Sequence, residues 1–316
     1  MPTINSVTGP VDIASLGFTL MHEHVFVLTE SVMQNFPHLW DREARMKQAV
    51  ADLSDAKAHG VTTMVDLTVL GLGRDVAFVR DAARASGMQI IAATGLYTYD
   101  ELPRYFELRD IDHMAGLFVH DIETGIQGTD VKAAILKVAT DEQGVTKGVE
   151  KVLRAVARAH RRTGVPISTH THAPTERGLD QQRIFTEEGV DLRRVVIGHC
   201  GDTEDIAYLE KLIAAGSYIG MDRFGLHQIL PTERRVATIA KLCERGHAGH
   251  IVLSHDTMCY IDWYPPEMRA ALPDYNYLHI PDVVIPALRA AGVPDDQIRS
   301  MTTENPRRVF EAQGAY

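Results

Sequence analysis

The sequence predicts one parallel (β/α)8 barrel, the TIM barrel fold, and three observations lead to this prediction. An amphipathic run, a glycine and a short apolar run rich in β-formers recur along the 316 residues, as expected when helices alternate with parallel strands. Polar residues suited to chemistry follow one predicted strand after another. No linker rich in glycine, proline or serine divides the chain, so residues 1–316 form a single predicted domain.

The predicted elements follow this cadence from the amino terminus. The predicted strands span residues 17–21, 61–67, 88–94, 131–138, 165–169, 195–198, 217–221 and 251–254. One predicted helix begins at an Asp41 cap and ends at Gly60, and another, marked by Val149 and Val156, ends at Gly164. The other predicted helices span 74–86, 113–126, 176–188, 205–215, 232–245, 283–291 and 307–311.

The length also suits this fold. About 250 residues is typical of such a barrel, and loops near 96–112 and 257–280 account for the surplus. A doubly wound open sheet is the alternative. However, no Gly-x-Gly-x-x-Gly turn follows the first strand, and the polar residues do not cluster at one switch point. The barrel is therefore the better prediction.

Composition narrows the class of partner. A formal net charge of −10 and a pI near 5.8 argue against nucleic acid or an anionic membrane, and small-molecule substrates are compatible. Cys200, Cys243 and Cys259 are too few for a disulfide framework, so we expect three free thiols in a reducing compartment. The amino terminus lacks a secretory pattern and no run of 18 apolar residues occurs, so a cytoplasmic location is expected.

The first candidate for chemistry is the pair His22 and His24. If residues 17–21 form a strand, both imidazoles point to the same side of its continuation. Two neutral imidazoles on one face suit a borderline metal such as Zn²⁺, Co²⁺ or Mn²⁺. An isolated His-x-His is also common in proteins that bind nothing, so the prediction depends on what the other strands carry.

In a barrel the carboxyl ends of the strands converge on one face. His22 and His24 close the first predicted strand, Lys137 the fourth, His170 the fifth, His199 the sixth and Asp256 the eighth. Four imidazoles and a carboxylate at one mouth are a plausible set of metal ligands. The helix-borne residues His59, His120 and His160 are expected at the surface. Six histidines stay open between supporting and purely structural roles: His172, His227, His247, His250, His255 and His279.

Lys137 stands in an otherwise apolar segment, where an ammonium is costly to bury and divalent cations would repel it. The pKa of its amine should therefore fall, and a neutral amine can add carbon dioxide. The resulting carbamate is an anionic ligand able to bridge two metals. The alternative is a lysine whose stem lines the barrel while its ammonium reaches solvent.

At this point the residues resemble a known family. The chain is similar throughout to the phosphotriesterase family of the amidohydrolase superfamily, and most similar to its phosphotriesterase-like lactonase branch. The segments that carry the resemblance are Gly9-Pro10, Leu20-Met-His-Glu-His-Val-Phe26, Val65-Asp-Leu-Thr68, Ile167-Ser-Thr-His-Thr-His172, Ile197-Gly-His-Cys-Gly-Asp202, Gly220-Met-Asp-Arg-Phe224, Ser254-His-Asp256 and Glu304-Asn-Pro-Arg-Arg-Val-Phe310.

The resemblance implies a centre of two divalent metals, with Zn²⁺ expected first and Co²⁺, Fe²⁺ or Mn²⁺ as alternatives. It implies that His22, His24 and Asp256 bind one metal, His170 and His199 the other, and that carboxylated Lys137 bridges them. A hydroxide that also bridges the metals would attack the substrate, with Asp256 accepting its proton. Tyr97 and Arg223 match pocket residues of the lactonase branch. This match implies that Tyr97 hydrogen-bonds a lactone ring oxygen, with an aromatic plug at the barrel rim as the alternative, and that Arg223 braces the pocket or a neighbouring loop. A homodimer is also expected from the resemblance alone.

These observations predict a lactonase that opens acyl-homoserine or γ/δ-lactones and has weaker activity on organophosphate triesters. After the eighth strand, an apolar loop with Met258, Trp263 and Tyr264 followed by Pro265 and Pro266 is suited to an acyl-chain channel. A primary phosphotriesterase (aryldialkylphosphatase) and a carboxylesterase are the enzymatic alternatives. The nonenzymatic alternative is a scaffold barrel whose histidines bind a structural metal or none.

Overall fold

The computed structural model describes residues 2–311 and 314–316. Its strands are β1 (Thr3–Ser6), β2 (Gly9–Asp12), β3 (Thr19–Glu23), β4 (Phe26–Val27), β5 (Thr63–Asp66), β6 (Gln89–Leu96), β7 (Ile135–Thr140), β8 (Ile167–Thr171), β9 (Val195–Ile197), β10 (Tyr218–Met221), β11 (Ile251–Leu253) and β12 (Tyr260–Ile261). Its α-helices are α1 (Glu30–Asn35), α2 (Arg42–Ala58), α3 (Val76–Ser86), α4 (Arg104–Glu107), α5 (Ile111–Glu123), α6 (Lys147–Thr163), α7 (Arg177–Glu187), α8 (Ile206–Ala214), α9 (Thr232–Glu244), α10 (Pro266–Ala270), α11 (Ile285–Ala290), α12 (Asp295–Arg299) and α13 (Asn305–Glu311).

Eight strands form one parallel sheet in the order β3, β5, β6, β7, β8, β9, β10, β11. The sheet curves until its two edges meet. There, the Asp256 N–H donates to the His22 carbonyl at 2.9 Å and the His22 N–H donates to Ser254 Oγ at 2.8 Å. We call this junction between β3 and residues 254–257 the closing seam. The predicted (β/α)8 barrel is confirmed.

Alternation along the strands builds two apolar layers. Met64, Ile90 and Leu136 pack in the layer shared with the helices, whereas the adjacent Val65 and Ile91 pack in the other core cluster. Because successive side chains of a strand point to opposite faces, a continuous apolar run places apolar side chains in both layers. The polar residues that follow these runs are left at the carboxyl ends of the strands.

Capping residues set the helix ends largely where the sequence predicts them. Asp41 caps α2 by accepting the Ala44 N–H at 3.0 Å, and Gly164 ends α6 in the left-handed region at φ 76°. The amino-terminal hairpin of β1 and β2, the β4–β12 pair and the short helices α1, α4, α10 and α12 were not predicted. β4 and β12 join the segment after β3 to the loop after β11.

Two sequence predictions about individual residues need correction. Lys137 is the third residue of β7 and lies inside the strand rather than at its end. His160 was expected at the surface but is fully buried: its Nδ1 bonds to the Val165 carbonyl at 2.7 Å and its Nε2 to the Tyr316 hydroxyl at 2.7 Å. Tyr316 covers this face of α6, a contact that helical periodicity does not reveal.

The three cysteines are free, as predicted. Within residues 2–311 and 314–316, the helices are all too short or too polar to cross a membrane.

Candidate metal centre

The first part of the site lies at the end of β3. His22 is within the strand, and His24 lies just beyond it, after a shift in register against β5. Both Nε2 atoms face the same carboxylate oxygen, Asp256 Oδ1, at 3.4 Å and 3.3 Å. The two imidazoles therefore point into one buried space at the barrel mouth.

The second part comes from β8 and β9. His170 lies in β8, His199 follows β9, and His170 Nδ1 is 2.8 Å from His199 Nε2. Burial lowers the pKa of His170 to about 4 and the pKa of His199 well below its usual value, so both rings are neutral near pH 7. His22, His199 and Asp256 also offer ligand atoms within 4.8 Å of one another.

The opposite nitrogen of each ring meets another side chain. His24 Nδ1 bonds to Thr68 Oγ1 at 2.8 Å, His199 Nδ1 to Asp222 Oδ1 at 2.8 Å, and His170 Nε2 to Asp141 Oδ2 at 2.9 Å. Because a carboxylate only accepts, neutral His170 and His199 donate these outer N–H groups and direct lone pairs at each other. A divalent cation between or beside such lone pairs would stabilise them, so the donor set fits a metal.

Lys137 lies beneath these rings and is 1% exposed. Its Nζ is 2.7 Å from His22 Nε2, and burial lowers the pKa of the amine to about 7. At a pH near 7, a large fraction of the Lys137 side chains therefore carries an uncharged, nucleophilic amine. The alternative of a rim lysine with a solvated ammonium is wrong for this side chain.

Asp256 is held by several groups. Arg223 Nε donates to its Oδ2 at 3.1 Å, and Arg223 also donates to Asp202 at 2.9 Å. Burial alone would raise the pKa of Asp256, but the nearby His199, His22 and Arg223 hold it well below its usual value. The carboxylate is therefore ionised. Arg223 was expected to brace the pocket or a loop, and the structure shows it braces Asp256 directly.

Three of these residues have unusual backbone conformations. His199, Arg223 and Asp256 adopt left-handed φ values of 58°, 61° and 58°. This region disfavours residues with a Cβ, and such strain occurs where tertiary contacts impose it. Each of the three directly follows a strand or lies within three residues of its end, so the turn redirects the side chain into the mouth.

Glu23 was not singled out from the sequence, although it lies between the two histidines. The side chain is 1% exposed. Its Oε1 accepts from Ser254 Oγ at 2.8 Å, His255 N at 2.8 Å and His255 Nδ1 at 2.7 Å, and its Oε2 accepts from Thr257 N at 3.0 Å. This single carboxylate fixes the residues on both sides of Asp256 across the closing seam.

A cavity of about 730 Å³ opens above the site. Tyr97 follows β6 at its edge, with its hydroxyl 3.4 Å from His170 Nδ1 and hydrogen-bonded to the hydroxyl of Tyr99. Burial raises the pKa of Tyr97 well above its usual value, so the phenol stays protonated as a donor. The apolar wall is formed by Leu72, Leu226, Met258, Trp263, Tyr264 and Leu272.

The structure thus brings together every residue singled out from the sequence for this site. Those residues are His22, His24, Tyr97, Lys137, His170, His199, Arg223 and Asp256. Sequence reasoning missed three carboxylates. Asp141 and Asp222 bond to the outer nitrogens of His170 and His199, and Glu23 bonds across the closing seam. Asp222 did carry a signal, because it directly follows the predicted strand 217–221 and precedes Arg223.

A barrel with this buried set of nitrogen and oxygen donors below an apolar cavity defines a metal-dependent hydrolase. The sequence model of the Phosphotriesterase family matches residues 2–310. The "Phosphotriesterase homology protein" of Mycobacterium tuberculosis is 57% identical over 325 residues and covers 100% of both chains. The "Aryldialkylphosphatase" of Saccharolobus solfataricus is 45% identical over 303 residues, covering 95% of this chain and 96% of that protein.

A solved structure of the phosphotriesterase from Mycobacterium tuberculosis superimposes with a TM-score of 0.97, at 56% identity and with 100% of both chains covered. The chain belongs to the phosphotriesterase family.

Proposed function

We propose that the protein is a lactonase with a binuclear metal centre and accompanying phosphotriesterase activity. His22, His24 and Asp256 would hold one metal, His170 and His199 the other, and Lys137, carboxylated by carbon dioxide, would bridge them. The convergence of buried imidazoles around an ionised carboxylate supports this assignment. When bound, two divalent cations lower the pKa of a shared water and polarise the oxygen of a carbonyl or phosphoryl group.

The side chains of this protein then divide the remaining work. Asp256 Oδ2 lies 3.1 Å from Arg223 Nε and 3.7 Å from His199 Nε2, a position from which it can accept the proton of the attacking water. Arg223 stays charged, because the surrounding carboxylates hold its pKa well above its usual value despite burial. It therefore orients Asp256 and does not itself take the proton.

The observation that carries the lactone proposal is the position of Tyr97. Its protonated hydroxyl lies beside His170, at the edge of an apolar cavity, and can donate a hydrogen bond to the ring oxygen of a lactone. Met258, Trp263 and Leu272 would line the space for an acyl chain. A triester must place three substituents in the same space, and these bulky side chains restrict it.

A primary phosphotriesterase is the second candidate. It is favoured by the name of the Saccharolobus solfataricus relative, which is 45% identical to this chain. Bound divalent cations would supply the same Lewis-acid assistance for attack on carbon and on phosphorus, so pocket shape decides between the substrates.

A direct comparison of kcat/KM for a long-chain acyl-homoserine lactone and an aryl dialkyl phosphate tests the choice. The lactonase proposal expects the lactone to be preferred. Outright preference for the triester would favour the second candidate, and no hydrolysis by metal-loaded protein would contradict both. Zn²⁺ is the metal expected first, with Co²⁺, Fe²⁺ or Mn²⁺ as alternatives, and metal analysis should give about two equivalents per chain. The homodimer and the cytoplasmic location stay predictions.

A further inference from the structure

One carboxylate contacts imidazoles from both halves of the site. Asp222 follows β10 and is fully buried. Its Oδ1 accepts the ring N–H of His199 at 2.8 Å, and its Oδ2 accepts the backbone N–H of His199 at 3.0 Å and lies 3.2 Å from His22 Nδ1. His22 Nδ1 has no hydrogen bond among the described residues, so this oxygen is the polar atom that faces it.

Two glycines leave room for this arrangement. A Cβ on Gly220 would lie 3.1 Å from Asp222 Oδ2. A Cβ on Gly198 would lie 3.2 Å from His22 Nδ1, although its closest contact would be the Thr169 carbonyl oxygen at 2.0 Å. Both approaches are tighter than ordinary carbon contacts, so a larger residue at either position would press on the imidazole or the carboxylate. The space between β9 and β10 is thus shaped for Asp222 to reach both rings.

The chemistry of a carboxylate favours one tautomer of each ring. Because an ionised carboxylate offers only acceptors, His199 donates its Nδ1–H to Asp222 Oδ1. A proton on His22 Nδ1 would likewise face Asp222 Oδ2, 3.2 Å away, although this contact lies outside hydrogen-bond geometry. Their Nε2 atoms are then left as lone pairs facing the site. Such outer contacts commonly set both the orientation and the affinity of metal-binding histidines.

The other two imidazoles lack this shared support. Thr68 contacts His24 alone among the four site imidazoles, and Asp141 contacts His170 alone. Each of these two side chains therefore supports only one half of the site. Asp222 is therefore the side chain whose contacts join the half formed by His22 and His24 to the half formed by His170 and His199.

We propose that Asp222 is a positioning residue that couples the two metal sites, holding one imidazole of each in its metal-binding tautomer. This inference rests on the proposed binuclear centre. Loss of Asp222 weakens both sites, whereas loss of Thr68 or Asp141 weakens one.

The test is a Co²⁺ titration of metal-free protein, by calorimetry or competition with a chelator, to obtain the two stepwise affinities. We expect Asp222→Ala to weaken both steps, each by roughly 10–100-fold. Thr68→Val and Asp141→Ala serve as matched controls and should each weaken a single step. Weakening of one step or of none in Asp222→Ala, with two metals still bound by the wild type, overturns the coupling role alone. Fewer than two metals on the wild type overturns the binuclear centre and the inference together.

A second measurement covers the case in which Asp222→Ala fails to fold. In ¹H–¹⁵N correlation spectra of metal-free wild type near pH 8, His22 and His199 should both carry their proton on Nδ1. Asp222→Asn keeps the shape of the side chain but replaces one carboxylate oxygen by an NH₂ group. That group would face the Nδ1 of either His199 or His22, which then has to accept a hydrogen bond, so at least one of the two rings should change tautomer. Protons on Nε2 of both rings in the wild type would refute the inference.

Discussion

Replacing Glu23 by glutamine tests the closing seam. The amide keeps the shape of the side chain but has one acceptor oxygen, whereas the carboxylate accepts four hydrogen bonds, three at Oε1 and one at Oε2. If the amide oxygen occupies the Oε1 position, the NH₂ group faces the Thr257 N–H. In the flipped orientation it faces the donors from Ser254 and His255. At least one buried donor is left without a partner in either case.

The magnitude follows from these contacts. An unsatisfied buried donor costs roughly 1–3 kcal/mol, and hydrogen bonds to a neutral acceptor are weaker than those to a charged one by roughly 1 kcal/mol each. Because the amide is uncharged, the variant avoids the cost of burying the carboxylate charge, and this offsets part of the lost stability. We therefore expect Glu23→Gln to lower the free energy of unfolding by about 2–4 kcal/mol, and to weaken metal binding because Asp256 lies between two of the released residues.

Urea unfolding of the metal-free protein measures the first effect, and a Co²⁺ titration measures the second. Glu30→Gln is the matched control. Glu30 also accepts two backbone N–H groups, those of Gly71 at 2.9 Å and Gly73 at 3.3 Å, but it is only partly buried. The control should lose less than about 1 kcal/mol. Equal losses in the two variants would refute the reasoning.

The remaining predictions concern the metal ligands, the pocket and the acid limit of stability. His22→Ala or His170→Ala should abolish most activity and lower the bound metal measured by atomic spectroscopy, since each removes a proposed ligand; full activity with unchanged metal would contradict the assignment. Lys137→Ala should lose activity that short carboxylic acids in the assay buffer partly restore, because such an acid can take the place of the proposed carbamate; undiminished activity without the acid would exclude the bridging role. Tyr97→Phe should lower lactone kcat/KM by roughly 10–100-fold, the equivalent of 1–3 kcal/mol from one hydrogen bond, and affect triester turnover less; equal losses on both substrates would count against the lactone pocket. Burial lowers the pKa of His160 to about 4. As the pH falls from about 6.5, this histidine therefore binds a proton in the unfolded chain but not in the native state, and up to about 3 kcal/mol of the free energy of unfolding is lost toward pH 4. His160→Gln should remove this part of the pH dependence in urea unfolding, and an unchanged pH dependence would contradict the prediction.

Periodicity predicted the barrel because each strand and helix satisfies a local pattern that a short window of sequence contains. The convergence of His22, His170 and Asp256 also followed from the sequence, since the fold dictates that strand ends meet. The left-handed turns that aim His199 and Asp256 could not be predicted, because no glycine marks them.

The missed residues share a physical cause. Glu23 is separated by 231 to 234 positions from the groups it binds, so its neighbours in the sequence say nothing about its partners. In the sequence, Asp222 simply follows a predicted strand, and its role depends on space left by glycines near the ends of adjacent strands. His160 was assigned to the surface because the carboxyl-terminal Tyr316 that covers it is 156 positions away.

The closing seam also bears on the order of folding. The contacts between β3 and residues 254–257 join the first and last strands of the sheet, so closing this loop carries a large entropic penalty and the contacts are expected to form late. His22 and Asp256 meet only when those strands meet. An intermediate with an open barrel would hold the histidines of β8 and β9 near each other but would lack the site completed by Asp256. High-affinity binding of the metal that His22, His24 and Asp256 are proposed to hold would then report the final step of folding, and a bound metal would slow the reopening of the barrel.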